Sequence, residues 1–415
     1  MLTILDVNNF WSPVGGGVRR YHLEKLAFMR ARADVRYIFV QPDTHTWTEA
    51  SEGNVVIEHL AAPNQPRTKD YRMIVEPRDL RALVQLHRPH VIECGSPAVL
   101  PLLVQLAGYR LHPRPTLVGF WHADFPRTYI ARKLGELDPR LADPGERAAW
   151  WWARRGYGNF DAVFVASRRV ADNLMVHGLD RLFYTPLGVD CERFSPAHRD
   201  LEEVERLRAG RPDRPVIFFP HRLQDEKGLS WLIAAYDQLC RRLPHDPALV
   251  FAGTGPDAPR VQAMAERREH VHYLGYIDTP EAMARWYASC DLALGLSAFE
   301  TFGLSCAEAM ASGLALVAAD QGGAAELVED SGCGLTVPYN DVQALTDAIV
   351  ELIDERALGE RGQRGRRHVE RLTWDRCFER QLLCYEELVA LRSAGRRLTP
   401  GVHERLMPAK LGETP

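Results

Sequence analysis

The stretch Asp291-Leu292-Ala293-Leu294-Gly295-Leu296-Ser297-Ala298-Phe299-Glu300-Thr301-Phe302-Gly303-Leu304-Ser305-Cys306-Ala307-Glu308-Ala309-Met310 reads as strand, loop and helix in immediate succession. Asp291–Leu296 is nearly continuous in apolar residues, as a parallel strand covered on both faces should be. Beyond Leu304, the neighbours Ala307, Ala309, Met310 and Ala311 suit a helix buried almost all round. Phe302-Gly303-Leu304 would place free backbone N–H groups at that helix's start, a ready anion site. A strand feeding directly into a helix is half of a βα unit, the building block of open parallel sheets.

Working outward, the same alternation recurs. The second half carries strand-like runs at Val216–Pro220, Ala248–Gly253, Val271–Leu274, Leu314–Ala319 and Gly334–Pro338. The first half carries them at Thr3–Val7, Arg36–Val40, Val55–Ile57, His90–Cys94, Thr116–Trp121, Asp161–Ala166 and Leu182–Thr185, with helical stretches such as Arg19–Ala31 and Arg78–Leu86 between them. Residues 191–214 are polar, with Pro196, Pro212 and the charged run Asp200–Arg208, and read as a linker. The expected layout is an α/β chain of two doubly wound, Rossmann-like domains, 1–190 and 215–373. A helix over 374–392 and a poorly ordered tail over 393–415 follow.

Length and composition agree with this. A chain of 415 residues suits two domains of ordinary size, and 46% hydrophobic with 26% charged residues is the balance of a globular protein. The net charge of −4 argues against a general nucleic-acid binder. Cys94, Cys191, Cys240, Cys290, Cys306, Cys333, Cys377 and Cys384 are scattered, without metal-ligand spacing, which fits a reducing compartment. The opening run Leu2–Val7 contains Asp6 and does not read as a secretory leader. A cytoplasmic location follows as the expectation, with peripheral contact at the inner face of a membrane left open. Trp150-Trp151-Trp152-Ala153-Arg154-Arg155 reads first as helix packing and second as an interfacial anchor.

In open α/β sheets ligands sit beyond the carboxyl ends of the strands, so strand-end loops carry the chemistry. After Val216–Pro220 comes His221-Arg222-Leu223-Gln224-Asp225-Glu226-Lys227-Gly228. Arg222 offers a planar fork and Lys227 a compact charge, and both can converge on one diphosphate; the plainer reading is two solvated cations. Glu300 is either a ligand group or a helix-start carboxylate favoured by the dipole. Glu308, among small apolar neighbours, needs hydroxyl or amide partners, which a ribose diol would supply. Gly253 and Gly255, and Tyr276 after Gly275, stand in loops where backbone can approach a ligand or merely turn. In the first half, Gly15-Gly16-Gly17 precedes a helix, and His122-Ala123-Asp124-Phe125-Pro126 follows Thr116–Trp121. His122 points a polar group at a cleft or is satisfied by local backbone.

With these residues assembled, the chain resembles the retaining GT-B enzymes of glycosyltransferase family 4. The likeness is carried by Glu300 and Glu308 with Phe302-Gly303, and by Arg222-Leu223 with Glu226-Lys227-Gly228. It extends from the glycine loop near 15 to the helix ending near 392. The motifs around Gly16 and His122 are similar to those of bacterial lipid mannosyl- and glucosyltransferases. The resemblance implies two facing domains with an interdomain cleft, and a last helix that crosses back to the first domain. It implies that Arg222 and Lys227 bind the donor diphosphate, that Glu308 holds the ribose, and that Glu300, Phe302, Gly303 and Leu304 contact sugar and phosphate. His122 would touch the sugar or acceptor near the reacting carbon, Gly16 and Gly17 would line the cleft, and Arg19 and Asp124 would lie on the acceptor side.

The implied reaction moves a hexose, mannose or glucose, from a GDP- or UDP-sugar to a hydroxyl-bearing acceptor such as a lipid. Anomeric configuration is retained, and neither metal nor cofactor takes part. No D-x-D triplet occurs in the chain. The rivals are a nucleotide-sugar epimerase of the same fold and a catalytically silent nucleotide-sugar binder.

Overall fold

Continuous apolar runs become strands buried on both faces. The computed structural model describes residues 1–12, 16–49, 53–65, 71–109, 111–354 and 357–405. Contacts divide the chain into two units, Met1–Pro186 with Trp374–Pro415, and Leu187–Thr373.

In chain order the first unit contributes β1 (Leu2–Val7), β2 (Val35–Asp43), β3 (Trp47–Thr48), β4 (Val55–Ala61), β5 (Val91–Cys94), β6 (Thr116–Phe120), β7 (Ala162–Val165) and β8 (Arg181–Tyr184). The second contributes β9 (Val216–Phe219), β10 (Ala248–Phe251), β11 (Val271–Tyr273), β12 (Leu292–Gly295), β13 (Ala315–Ala319) and β14 (Gly334–Val337). A last strand, β15 (Gly401–His403), returns to the first unit.

Among the described residues the first sheet runs β15-β8-β7-β6-β5-β1-β2-β4-β3, parallel except for the antiparallel edge pair β3–β4. The second sheet runs β11-β10-β9-β12-β13-β14, parallel throughout. Strand order reverses beside β1 in the first sheet and beside β9 in the second. Loops leaving the reversal strands diverge to opposite faces and open a crevice there. In the second sheet this brings the loops after β9 and β12 side by side, with Leu292 opposite Ile217. The strands hold their place by burial: Ile217, Phe219, Leu294, Leu316 and Val317 are at most 1% exposed. Each such side chain contributes about 1.5–3 kcal/mol.

Two expectations are corrected. The charged run read as linker is the helix Leu201–Arg208, integral to the second unit. Asp200 caps it by accepting from the Glu203 N–H at 3.1 Å, and Val204 and Leu207 are buried. Arg199 and Arg208 both reach Asp291 at 3.0–3.1 Å, and the Val216 N–H donates to the same carboxylate. The segment read as a poorly ordered tail holds β15, paired in parallel with β8 from Gly401 opposite Arg181 to His403 opposite Phe183. Residues 406–415 lie outside the described residues. The tryptophan triplet divides by helix geometry. Trp150 is buried against Trp121 and His177, Trp152 donates to the Ala98 carbonyl at 2.8 Å, and Trp151 is 57% exposed.

Candidate functional site

In the second unit the cluster begins with sequence-adjacent polar residues placed by two neighbouring strands. After β9 the chain passes through His221 and Arg222 into a single 3-10 turn, Asp225–Lys227. Gly228 then starts the helix Leu229–Arg242 with φ of 81°. A side chain at Gly228 would lie 2.5 Å from the Leu296 Cβ, so the glycine lets this loop seat against the one after β12. The result is a contact across 73 residues of sequence: the Lys227 Nζ donates to Glu300 Oε1 at 2.6 Å. Glu226 lies 3.7 Å from the same ammonium.

Burial alone would push the Glu300 carboxyl up. The Lys227 charge and hydrogen bond, with a smaller contribution from His221, outweigh it and hold the group below its ordinary range. His221 is buried, its Nε2 2.7 Å from the Leu294 carbonyl, and burial lowers its pKa to about 4. Arg222, by contrast, is exposed and makes no ion pair among the described residues. The site thus holds one paired cation and one uncommitted guanidinium within a few residues.

Glu300 also fixes its loop. Its carbonyl accepts from the Gly323 N–H at 2.7 Å, which ties the loop to the helix Gly322–Ser331. Gly303, in the left-handed region, opens the helix Leu304–Ala311. Phe302 is buried beneath the loop while Leu304 is partly exposed. Glu308 sits on this helix, half-buried, and accepts from the Tyr287 hydroxyl at 3.3 Å. Tyr287, from the helix Pro280–Ala288, was not legible in the sequence, because nothing in the spacing of the two residues announces their contact.

Gly253 and Gly255 owe their identity to packing between loops. A Cβ on either would lie 2.3 Å from a carbonyl oxygen, of His221 and Leu223 respectively. They hold the cation loop in place through chain-to-chain contact. Tyr276 is 59% exposed, and among the described residues it makes no hydrogen bond to Lys227 or Glu300.

In the first unit the strand reversal at β1 gathers another polar group. Asn8 follows β1, Gly95 and Ser96 follow β5, and His122 follows β6. The Ser96 hydroxyl donates to Asn8 Oδ1 at 2.6 Å, and Asn8 Nδ2 lies 2.6 Å from His22 Nε2. The His122 ring stacks on Phe120 with centroids 4.0 Å apart and meets the Tyr21 ring edge-on at 4.9 Å. Burial pushes its pKa well below the ordinary histidine value, so it is neutral near pH 7. Burial raises Asp124 to about 6, against the opposing pull of Arg127. Gly17 is the first residue of the helix Gly17–Arg30, and Gly16 is exposed before it; Gly15 lies outside the described residues. The Arg19 guanidinium lies 5.8 Å from the centre of the Trp11 ring.

Beneath these loops is a fully buried charge cluster that the sequence reading missed. Lys25 Nζ donates to Asp6 Oδ2 and Glu93 Oε1, both at 2.9 Å, and to the Tyr385 hydroxyl at 3.3 Å. Tyr37 donates to Asp6 at 2.7 Å, and Tyr21 to Gln381 at 3.0 Å. Burial raises Glu93 to about 7 despite Lys25, and lowers His22 to about 4. The available signal was the rarity of lysine in this arginine-rich chain, together with acids inside the apolar strands β1 and β5.

Comparison with known proteins follows the same division. The model of Glycosyltransferase Family 4 matches residues 15–193, and that of Glycosyl transferases group 1 matches residues 203–368. The chain is 32% identical over 280 residues to a GDP-mannose-dependent alpha-mannosyltransferase of Mycobacterium tuberculosis (strain CDC 1551 / Oshkosh), covering 67% of this chain and 68% of that protein. It is 27% identical over 378 residues to the GDP-mannose-dependent alpha-(1-6)-phosphatidylinositol dimannoside mannosyltransferase of Mycobacterium tuberculosis (strain ATCC 25177 / H37Ra), covering 90% and 93%. Among solved structures it is similar to sucrose-phosphate synthase from Thermosynechococcus elongatus, with a TM-score of 0.72, 20% identity, and coverage of 94% of this chain and 100% of that one.

Proposed function

The chain belongs to glycosyltransferase family 4 and has its GT-B fold, and on that premise we propose that it transfers mannose from GDP-mannose to a hydroxyl of a lipid-linked or glycan acceptor, retaining the anomeric configuration. The observation that carries this reading is the second-unit cluster: Lys227 on Glu300 at 2.6 Å, with Arg222 uncommitted beside it. The donor base and sugar are supported by the names of the mannosyltransferases to which the chain is similar.

Cleaving the sugar–phosphate bond leaves negative charge on the diphosphate and positive charge at the anomeric carbon. Arg222 and Lys227 neutralise the first, and the N–H groups at the start of Leu304–Ala311 add fixed dipoles. These two cations do the work a bridging metal ion would otherwise do, so the reaction is proposed to need neither metal nor cofactor. Glu300 holds Lys227 in position and contacts the sugar. Glu308, oriented by Tyr287, receives the ribose hydroxyls. The acceptor oxygen attacks from the face the diphosphate leaves, and a leaving phosphate oxygen takes its proton. In the first unit, neutral His122 supplies hydrogen bonds without adding charge, and Arg19 and Asp124 serve the acceptor.

Peripheral membrane contact belongs to the same proposal. Among the described residues no helix is long and apolar enough to cross a membrane. The helical segments over 126–157, however, expose Leu137 (80%) and Trp151 (57%) on a stretch that also carries Arg132, Lys133 and Arg155. That pairing suits an anionic bilayer surface facing the cytoplasm.

The test is GDP release from GDP-mannose by the wild type and by the double variant Arg222→Ala, Lys227→Ala. Folding should survive, as judged by circular dichroism, and turnover should vanish. Near-normal turnover in the double variant, or equal use of UDP-glucose by the wild type, would overturn the assignment.

A further inference from the structure

We propose that the first unit binds a small soluble phosphate-bearing ligand in a pocket at the amino-terminal ends of β5 and β6, the side of its sheet away from Asn8 and His122. The pocket measures about 360 Å³, and Arg88, His90, His112, Arg114, Thr116 and Arg392 are among its lining residues. Three guanidinium-bearing and two imidazole-bearing residues line it, and no carboxylate does. In a chain of net charge −4, a concavity lined by arginines and by no carboxylate is a local departure that calls for an anionic occupant, even with the Arg392 charge met by Asp161.

Two of the three guanidinium groups are held in place. Arg392, near the end of the helix Trp374–Ser393, donates to both Asp161 oxygens at 2.7 and 2.8 Å and to the Arg114 carbonyl at 3.2 Å. The Arg114 guanidinium lies over the Tyr109 ring at 4.5 Å. His90 Nδ1 accepts from the Thr3 N–H at 3.0 Å, which fixes the tautomer and leaves the proton on Nε2 as a donor. Arg88 and Arg114 are exposed and make no ion pair with a carboxylate among the described residues. Arginine forks matched to phosphate oxygens, on a scaffold fixed without the ligand, are the arrangement phosphate recognition requires. The volume accommodates a diphosphate or a phosphorylated sugar rather than a whole nucleotide sugar. None of the lining residues is shared with the second-unit cluster.

The probe is inorganic pyrophosphate, titrated calorimetrically into the full chain. Two sites are expected in the wild type, one of them at the donor cluster. The variant Arg88→Ala, Arg114→Ala should retain one site, Arg222→Ala, Lys227→Ala should retain one, and the quadruple variant none. The lost site should weaken at least tenfold, and circular dichroism should show each variant folded, since all four side chains are exposed or partly so. Binding that is unchanged in Arg88→Ala, Arg114→Ala, whatever the wild-type stoichiometry, overturns the proposal. If that variant instead loses only sedimentation with phosphatidic acid vesicles, the soluble-ligand assignment is refuted. Retention of two sites in Arg222→Ala, Lys227→Ala alone would count against the donor assignment and leave this pocket standing.

Discussion

Lys227→Ala removes an ammonium lying 2.6 Å from Glu300, in a pair whose members are 21% and 23% exposed. Fully exposed pairs are worth about 0.2–1 kcal/mol, and breaking buried ones costs about 3–5 kcal/mol. At one-fifth exposure a loss of about 2 kcal/mol is expected, read as a shift in the urea midpoint. The pH dependence should change as well. In the wild type the Glu300 carboxyl is held below its unfolded value, so its stabilising contribution is complete above that value and is lost as pH falls through the lowered one. Without Lys227, burial acts almost unopposed and raises the carboxyl. The folded variant then takes up the Glu300 proton before the unfolded chain does, so the part of the acid-side fall in stability that Glu300 contributes in the wild type should disappear or reverse. Removing one fixed charge from a leaving diphosphate should lower kcat for GDP release about 10²–10³-fold. A variant with kcat within threefold of wild type refutes the chemical role. A double-mutant cycle with Glu300→Gln showing less than about 0.3 kcal/mol of coupling refutes the geometry.

Four further outcomes are expected. Lys25→Met strands Asp6 and Glu93 in a site of 0% exposure and should cost about 3–5 kcal/mol, measured by thermal melts; an unchanged Tm would contradict the cluster. Gly255→Ala forces a Cβ within 2.3 Å of the Leu223 carbonyl and should destabilise by about 2 kcal/mol while raising the donor KM. Gly16→Ala meets nothing within 4 Å and should change stability by less than about 0.5 kcal/mol. His22 and His221, with pKa values near 4 when folded and near 6.5 unfolded, are stabilising while neutral above pH 6.5, and that contribution is lost as pH falls toward 4. Each should account for about 2 kcal/mol lost by pH 5, so His22→Asn should flatten the urea midpoint between pH 7 and 5.

Most strands could be read directly because parallel strands are apolar on both faces and announce themselves without reference to partners. The loop after β12 was legible for the same reason: Glu300 stands where an apolar run stops and a helix begins. Other features depend on residues distant in sequence. The run 200–208 looked like a linker because the acid its arginines seek, Asp291, comes about 80 residues later. Glu308 was expected to need a hydroxyl, and the protein supplies one of its own through Tyr287. The glycines at 253 and 255 were recognisable as sites of close approach, but sequence does not say that another loop is what approaches. Lys25 was hidden by its position on an otherwise ordinary amphipathic helix. Its carboxylates arrive from two strands, and its tyrosine partner lies 360 residues away.

That last separation bears on how the polypeptide acquires its form during synthesis. Residues 187–373 can mature as soon as they clear the ribosome, but the first unit must wait. Until residue 385 emerges, Glu93 lacks one of its hydroxyl partners, and until residues 401–403 follow, β8 presents an open edge. The portion made first is therefore completed last. A chain truncated after residue 373 and released from the ribosome should display a finished second unit and a protease-sensitive first one.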